Sequence, residues 1–341
     1  MTVSLDFGSR EIRSLVKTGV SGGRLRLTTV RAEYVLIPDE TAARRMLRDE
    51  GLSHAVCGTG LAVFGSGVER AAWLSRCPAI PLFVDGRIPT RDGLARQILG
   101  VLVESLLSEP GVWGETCVLS VPGAGLSAEL REANGDFLGH LVQMRGYRPL
   151  VLGAAELALL AGGRESGFSG VSVVAGAEST SFCVSRQGNV LTEGGIPLGG
   201  RWLDSELARE CEQWIWDESG ERHADTALVE KWRLGLSGVR GPARVALSEA
   251  ALQRLLIRLT RRLAAGIVES VRLAGMHEQT VPVMLAGGLS LMPGFSASLR
   301  ESLATAAGTG RSFEVRTATD SETVVVRGGM IYGELESRSA A

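Results

Sequence analysis

At 341 residues, with 45% hydrophobic and 22% charged content, the chain is long enough for two cores and too apolar to stay disordered. It carries 36 basic and 38 acidic residues, a formal net charge of -2, and no basic tract, so a nucleic-acid partner is not expected. Five scattered cysteines (Cys57, Cys77, Cys117, Cys183, Cys211) without a Cys-x-x-Cys pair, and only four histidines, argue against a zinc site or a disulfide framework. A strand pattern starting at Val3 leaves no room for a signal peptide, and no apolar stretch approaches the ~18 residues of a spanning helix. The expectation is a cytoplasmic protein whose membrane contact is peripheral if there is any.

The chain opens as strand, glycine turn and strand: Val3 to Phe7, then Gly8-Ser9-Arg10, then Ile12 to Val16 with alternation. Gly22-Gly23 turns into a third alternating strand, Leu25 to Val30, so the start is an antiparallel meander, unlike a Rossmann domain whose first strand feeds a helix. Helical pieces follow at Thr41–Asp49 and Val68–Leu74. Asp92 to Leu107 reads as an amphipathic helix capped by Asp92, with Leu94, Ile98, Val101, Leu102 and Leu106 on its apolar face. A buried-type strand at Cys117–Pro122, a helix around Leu126–Arg145, a short strand at Pro149–Leu152 and a helix at Ala154–Ala161 close the first half.

At Val171 the pattern starts again. Val171 to Gly176 is a strand ending in a small-residue turn, Phe182 to Ser185 resumes, and Gly188-Asn189 forms the next hairpin. Two halves opening alike suggest an internal duplication, with a boundary at Gly170. Helix-rich stretches (Asp204 to Arg222, then Thr226 to Leu236) and a long helix, Glu249 to Ala274, fill the second half. An apolar run from Val281 to Leu285 then stops at Gly287-Gly288, and a helical pattern begins at Phe295. Glycine is needed in such a turn where a Cβ would block a close approach or forbid a positive φ.

Several short segments carry chemistry. Asp6 at a strand end, followed by the Gly8-Ser9-Arg10 turn with its N–H groups, can hold a hydrated Mg²⁺ and a phosphate together. Gly176-Ala177-Glu178-Ser179-Thr180 occupies the matching turn of the second half. Gly199-Gly200 precedes a helix with Asp204 near its start, and Glu230 and Arg233 share a helix face. Each alone is compatible with ordinary turns, caps and solvated faces.

Together and in this order they resemble the actin, Hsp70 and sugar-kinase superfamily, most of all a divergent bacterial MreB-type actin-like protein. Asp6-Phe7-Gly8-Ser9 is similar to the Asp-x-Gly-Thr/Ser of the first phosphate segment. Leu198-Gly199-Gly200-Arg201-Trp202-Leu203-Asp204 resembles the Leu-Gly-Gly-x-x-Phe/Leu-Asp segment. Glu230 to Ser237 resembles the Glu-x-x-Lys-x-x-Leu-Ser helix, and Gly287-Gly288-Leu289-Ser290 with Pro293-Gly294 resembles actin's adenosine turn. Asp320 to Gly329, running into a last short helix, resembles the second connecting segment.

The resemblance implies a two-lobed, ribonuclease H-like duplicated α/β fold with ATP or ADP and Mg²⁺ in a cleft between lobes. The first lobe would span residues 1–169, with an upper subdomain at about 33–83 and the C-terminal helix 321–341 returning to it. The second would span 170–320, with its upper subdomain at about 204–275. The implied nucleotide set is Asp6, Gly8, Ser9, Arg10, Gly176, Ser179, Thr180, Gly199, Gly200, Glu230, Arg233, Gly287, Gly288 and Ser290, with Asp6 holding the metal through water. The implied partners are the nucleotide and either further copies of the chain in a filament or another protein.

The sequence also departs from that pattern. Val174 stands where the second phosphate segment has aspartate, and Ala177 and Glu178 replace two glycines. A glutamate there repels phosphate unless Mg²⁺ or an arginine lies between. Counting back from Ala161-Gly162-Gly163 puts Ala154 at the water-positioning place, with Glu156 two residues on, so Asp6 and Glu156 are the catalytic candidates. Losing a water-positioner and an aspartate should slow phosphoryl transfer by several orders of magnitude. Three readings stay open: an actin-like nucleotide-binding protein with weak or no ATPase activity, a pseudo-ATPase scaffold or nucleotide sensor, and a small-molecule kinase of the same superfamily.

Overall fold

Alternating residues at the start of the chain build a meander of β1 (Val3–Phe7), β2 (Glu11–Thr18) and β3 (Arg24–Ile37), each pair antiparallel. The structure is a computed structural model, and it describes residues 2–18, 23–58, 60–216, 220–235 and 249–339. Gly22 of the expected second turn, and Leu236 and Ser237 of the expected adenosine helix, lie outside the described residues. The chain divides into two units, Met1–Leu157 with Val325–Ala341, and Ala158–Val324.

In the first unit β3 runs on to Ile37 instead of ending near Val30. Its first half pairs with β2 and its second half with β5 (Gly60–Gly65) and β6 (Ala79–Pro81), across an irregularity between Arg31 and Tyr34. Between them lie α1 (Thr41–Asp49), β4 (His54–Cys57) and, after β5, α2 (Val68–Ser75). Val35, Ile37, Leu47, Leu61, Val63, Val68 and Ala71 make a small separate core there. Then come α3 (Gly93–Leu106), β7 (Thr116–Ser120), α4 (Ala128–Met144), β8 (Arg148–Leu152) and α5 (Ala154–Gly162), whose last residues belong to the second unit. The Asp92 carboxylate caps α3, accepting from the Ala95 amide at 3.0 Å. Leu99 and Val103 are buried on that helix, whereas Val101, expected on its apolar face, is exposed. The sheet order is β4-β5-β3-β2-β1-β7-β8, with β1, β7 and β8 parallel.

The second unit repeats the plan. Strands β9 (Gly170–Ala175), β10 (Thr180–Arg186) and β11 (Asn189–Ile196) form the meander. Gln187 and Gly188, both at positive φ, make the two-residue turn expected at Gly188-Asn189. Next are α6 (Gly200–Glu210), β12 (Trp214–Trp216), β13 (Arg222–Ala224), α7 (Thr226–Arg233), α8 (Glu249–Leu273), β14 (Thr280–Ala286), α9 (Phe295–Ala307) and β15 (Ser312–Thr317). The stretch from Asp204 to Arg222, expected to be helical, breaks at Glu212, a non-glycine residue at positive φ. It then forms the β12–β13 pair, because Trp214-Ile215-Trp216 suits a pleated surface better than a helix. The main sheet order is β11-β10-β9-β14-β15, with β9, β14 and β15 parallel.

Each main sheet buries one face under two helices. Val3, Leu5 and Phe7 of β1 join residues of α3 and α4 in one core, and Val171, Val173 and Ala175 of β9 join residues of α8 and α9 in the other. The opposite face takes a helix bearing a glycine pair. In the first unit this is α10 (Val324–Ser339), longer than the short helix expected. A Cβ on Gly328 would overlap the Leu157 carbonyl, and one on Gly329 would overlap the Ser4 hydroxyl. In the second unit a Cβ on Gly162 would overlap the Met284 sulfur.

Candidate functional site

Open α/β sheets bind ligands beyond the carboxyl ends of their parallel strands. In the first unit β1 and β7 end there in residues 8–10 and 121–127; in the second, β9, β11 and β14 end in residues 176–179, 197–199 and 287–294. The expected binding residues other than those on α7 therefore fall at this end of their own sheet.

Asp6 is buried at the end of β1. The β1–β2 register sets it opposite Arg13, and the β1–β7 register opposite Ser120, so three side chains meet in one row. The Ser120 hydroxyl donates to Asp6 Oδ1 at 2.5 Å, and Arg13 Nη1 lies 3.8 Å from Oδ2. Arg13 also donates to Glu11. Burial pushes the Asp6 carboxyl above its ordinary pKa, against the pull of Arg13 and of the Ser120 hydroxyl. Gly8 is required by its own turn, since a Cβ would lie 2.7 Å from the Glu11 carbonyl oxygen. The Arg10 carbonyl accepts from the Ala32 amide at 2.9 Å, which ties the turn to β3. Ser9 is nearly buried within it.

The corresponding turn of the second unit closes on itself. The Gly176 amide donates to the Ser179 carbonyl at 3.0 Å, and the buried Thr180 hydroxyl donates to the Leu198 carbonyl at 2.9 Å. The first amides of α6 turn back onto it: Gly200 donates to the Gly176 carbonyl at 3.1 Å and Arg201 to the Ala177 carbonyl at 2.8 Å. Gly199 is glycine because a Cβ would lie 2.5 Å from that Ala177 oxygen. The arginine required beside Glu178 is Arg201, whose Nη1 donates to the carboxylate at 2.6 Å.

Arg233, on α7, is fixed to Asp204 on α6 by two bonds, Nε to Oδ1 at 2.7 Å and Nη2 to Oδ2 at 2.9 Å, with both side chains buried. Burial works against its charge, and the bonds and attraction of Asp204 more than offset that, so its pKa is raised. The guanidinium therefore staples two helices. Glu230 is half-buried on the same helix. At the third turn Gly287, with φ 90°, packs so tightly that a Cβ would overlap the Ala175 backbone, and its amide donates to the Ser321 carbonyl at 3.0 Å. Its glycine is demanded by the protein's own strand. Gly288 differs, since a Cβ there meets nothing within 4 Å. The Ser290 hydroxyl turns inward to the Gly287 carbonyl at 2.6 Å.

Glu156 sits on α5 near Tyr332 of α10, whose hydroxyl pKa is raised by burial first and then by Glu336 and Glu156. Ala154 is the first residue of α5. Among the described residues no cluster of three or more His, Cys, Asp or Glu side chains could hold a metal ion directly. A single strand-end carboxylate suits a hydrated Mg²⁺ held through water and shared with ligand oxygens, and Asp6 provides that carboxylate. Sequence reading missed Arg13, Ser120 and the role of Arg201. It also missed Asn134 on α4, buried and donating to the Gly86 and Pro122 carbonyls at 2.8 and 2.9 Å, which ties the Asp85-Gly86 turn to the end of β7. Arg13 was within reach, since a hairpin that pairs Phe7 with Ile12 must pair Asp6 with Arg13.

A sequence model of the family described as Volactin matches residues 1–332. The chain belongs to the Volactin family. No curated protein matches it. Among solved structures this Volactin-family chain is similar to a MamK double helical filament, at 17% identity and a TM-score of 0.65, over 98% of this chain and 99% of that one. It is also similar to a non-polymerising MamK mutant bound to AMPPNP, at 19% identity and a TM-score of 0.55, over 98% of each chain. A third is the ethanolamine utilization protein EutJ from Carboxydothermus hydrogenoformans, at 16% identity and a TM-score of 0.53, over 97% of this chain and 89% of that one. The likeness shows that the chain shares its α/β fold with these structures. Among the described residues no helix is long and apolar enough to cross a membrane.

Proposed function

We propose that this chain is an MreB-type actin-like protein that binds ATP or ADP with Mg²⁺, self-associates into filaments, and hydrolyses ATP slowly or not at all. The observation that carries the reading is that in each unit, taken by itself, glycine turns lie at the carboxyl ends of the parallel strands, with Gly288 of the second opening onto free space. The likeness over the whole chain to a MamK filament and to a nucleotide-bound MamK supports it. In the first unit Asp6 would hold the hydrated ion and the Gly8 and Ser9 turn would take phosphate oxygens; in the second unit, taken by itself, the open side of Gly288 leaves room for a nucleoside. Bound Mg²⁺ would supply positive charge to the phosphates.

Slow or absent hydrolysis follows from Val174 and Ala154, where an aspartate and a water-positioning side chain are missing. These residues favour the pseudo-ATPase scaffold as the second reading. High-speed pelleting and electron microscopy of the purified chain with ATP, with ADP and without nucleotide test the proposal, with phosphate release measured in parallel. Nucleotide-dependent filaments with little phosphate release are expected. A chain that stays monodisperse with every nucleotide would overturn it.

A further inference from the structure

The turn between β9 and β10 is tied to the start of α6 by a set of named hydrogen bonds. The Gly176 amide is taken by the Ser179 carbonyl, the Gly200 amide by the Gly176 carbonyl and the Arg201 amide by the Ala177 carbonyl. The Thr180 hydroxyl is taken by the Leu198 carbonyl. The guanidinium of Arg201, the cation in the first turn of α6, donates to Glu178 at 2.6 Å, with the two side chains 27% and 13% exposed. A helix start attracts negative charge, and α6 has no acid of its own in its first turn. Glu178, on the turn, is bonded to the guanidinium of that first turn's Arg201. In the first unit the residue at the same place in the β1–β2 turn is Arg10, of opposite sign, as the matching pairs Phe7–Ile12 and Ala175–Thr180 establish.

We infer that the Glu178 carboxylate is a built-in anion occupying the place on Arg201 and α6 that a ligand's terminal phosphate would take, which makes Glu178 a specificity-determining residue. The inference rests on the nucleotide reading proposed above and deepens it. The second unit's turn offers a phosphate a carboxylate whose cation is already engaged. The site accordingly takes nucleoside diphosphate and triphosphate about equally, and the terminal phosphate gains no charge-assisted bond there.

The test is calorimetric titration of the full chain, wild type and Glu178→Gln, with ADP and with ATP in the presence of Mg²⁺. In the wild type the two dissociation constants should agree within about threefold, under ~1 kcal/mol apart. Glu178→Gln removes the competing charge and releases Arg201, so ATP should tighten about tenfold or more while ADP stays within about threefold. Arg201→Gln gives an independent variant. It leaves Glu178 uncompensated, and ATP should weaken relative to ADP. A wild type that already prefers ATP about tenfold or more, or variants that leave the ATP to ADP ratio unchanged, would overturn the inference while leaving nucleotide binding intact. Absence of heat with either nucleotide in wild type and variants would overturn both.

Discussion

The two units lay down the same five strands in the same order, β3-β2-β1-β7-β8 in one and β11-β10-β9-β14-β15 in the other, and differ in where they put their charge. Even the buried hydroxyls correspond: Ser4 on β1 and Ser172 on β9 hold the same place, and neither finds a hydrogen-bond partner. Two residues further on, the first unit has Asp6 facing Arg13 and Ser120, where the second has Val174 opposite Ser181 and Ala286. The second unit instead carries Glu178 and Arg201 outside its strands, and Asp204 and Arg233 buried between its helices. A duplicated fold can thus keep its packing while moving ionisable groups off the strand end, because register governs the core and the strand-end turns bear few packing constraints.

The largest way to break this comparison is to remove Asp204. Asp204→Ala takes both hydrogen bonds from the buried Arg233, leaving it only the attraction of Glu230, and should cost about 3 kcal/mol in chemical denaturation. A loss below about 1 kcal/mol would mean the pair is not a staple. Next is Gly287→Ala, which sets a Cβ against the Ala175 backbone at φ 90° and should cost about 2 kcal/mol or more. Its neighbour sharpens the contrast. Gly288→Ala should change stability by less than about 0.5 kcal/mol, and a falling nucleotide affinity in that variant would place the ligand on its open side.

The smallest effect concerns pH. A carboxyl whose pKa is raised on folding, as at Asp6, binds its proton more tightly in the folded chain than in the unfolded one. Its contribution to stability is complete below the unfolded pKa, near the ordinary 3.8, and is lost as pH rises through the folded value. Asp6→Asn cannot ionise, so between about pH 4 and pH 7 the variant should gain stability relative to wild type in urea melts. A relative loss over that window would show that Arg13 and Ser120 outweigh burial.

The meanders, the Asp92 cap and the duplication were legible because alternation, capping and glycine turns are local. The extension of β3 through Tyr34-Val35-Leu36-Ile37 was not, since Tyr34, Val35 and Ile37 are buried and the alternation disappears. The β12–β13 pair was hidden beneath helix-like polarity on either side of it. At the candidate site the strand-end turns were readable as glycine patterns, and so was the oddity of Glu178. What Glu178 and Arg233 contact was not, because their partners lie 23 and 29 residues away and are chosen by the packing of α6 against the turn and α7. Gly287 and Gly288 look alike as letters, and the approach of β9 distinguishes them.

The central claim is the proposal that the chain binds nucleotide, and calorimetric titration of the wild-type chain with ATP, with and without Mg²⁺, tests it most directly. Micromolar binding that weakens when Mg²⁺ is removed is the predicted result. No heat at millimolar ATP under either condition would contradict it.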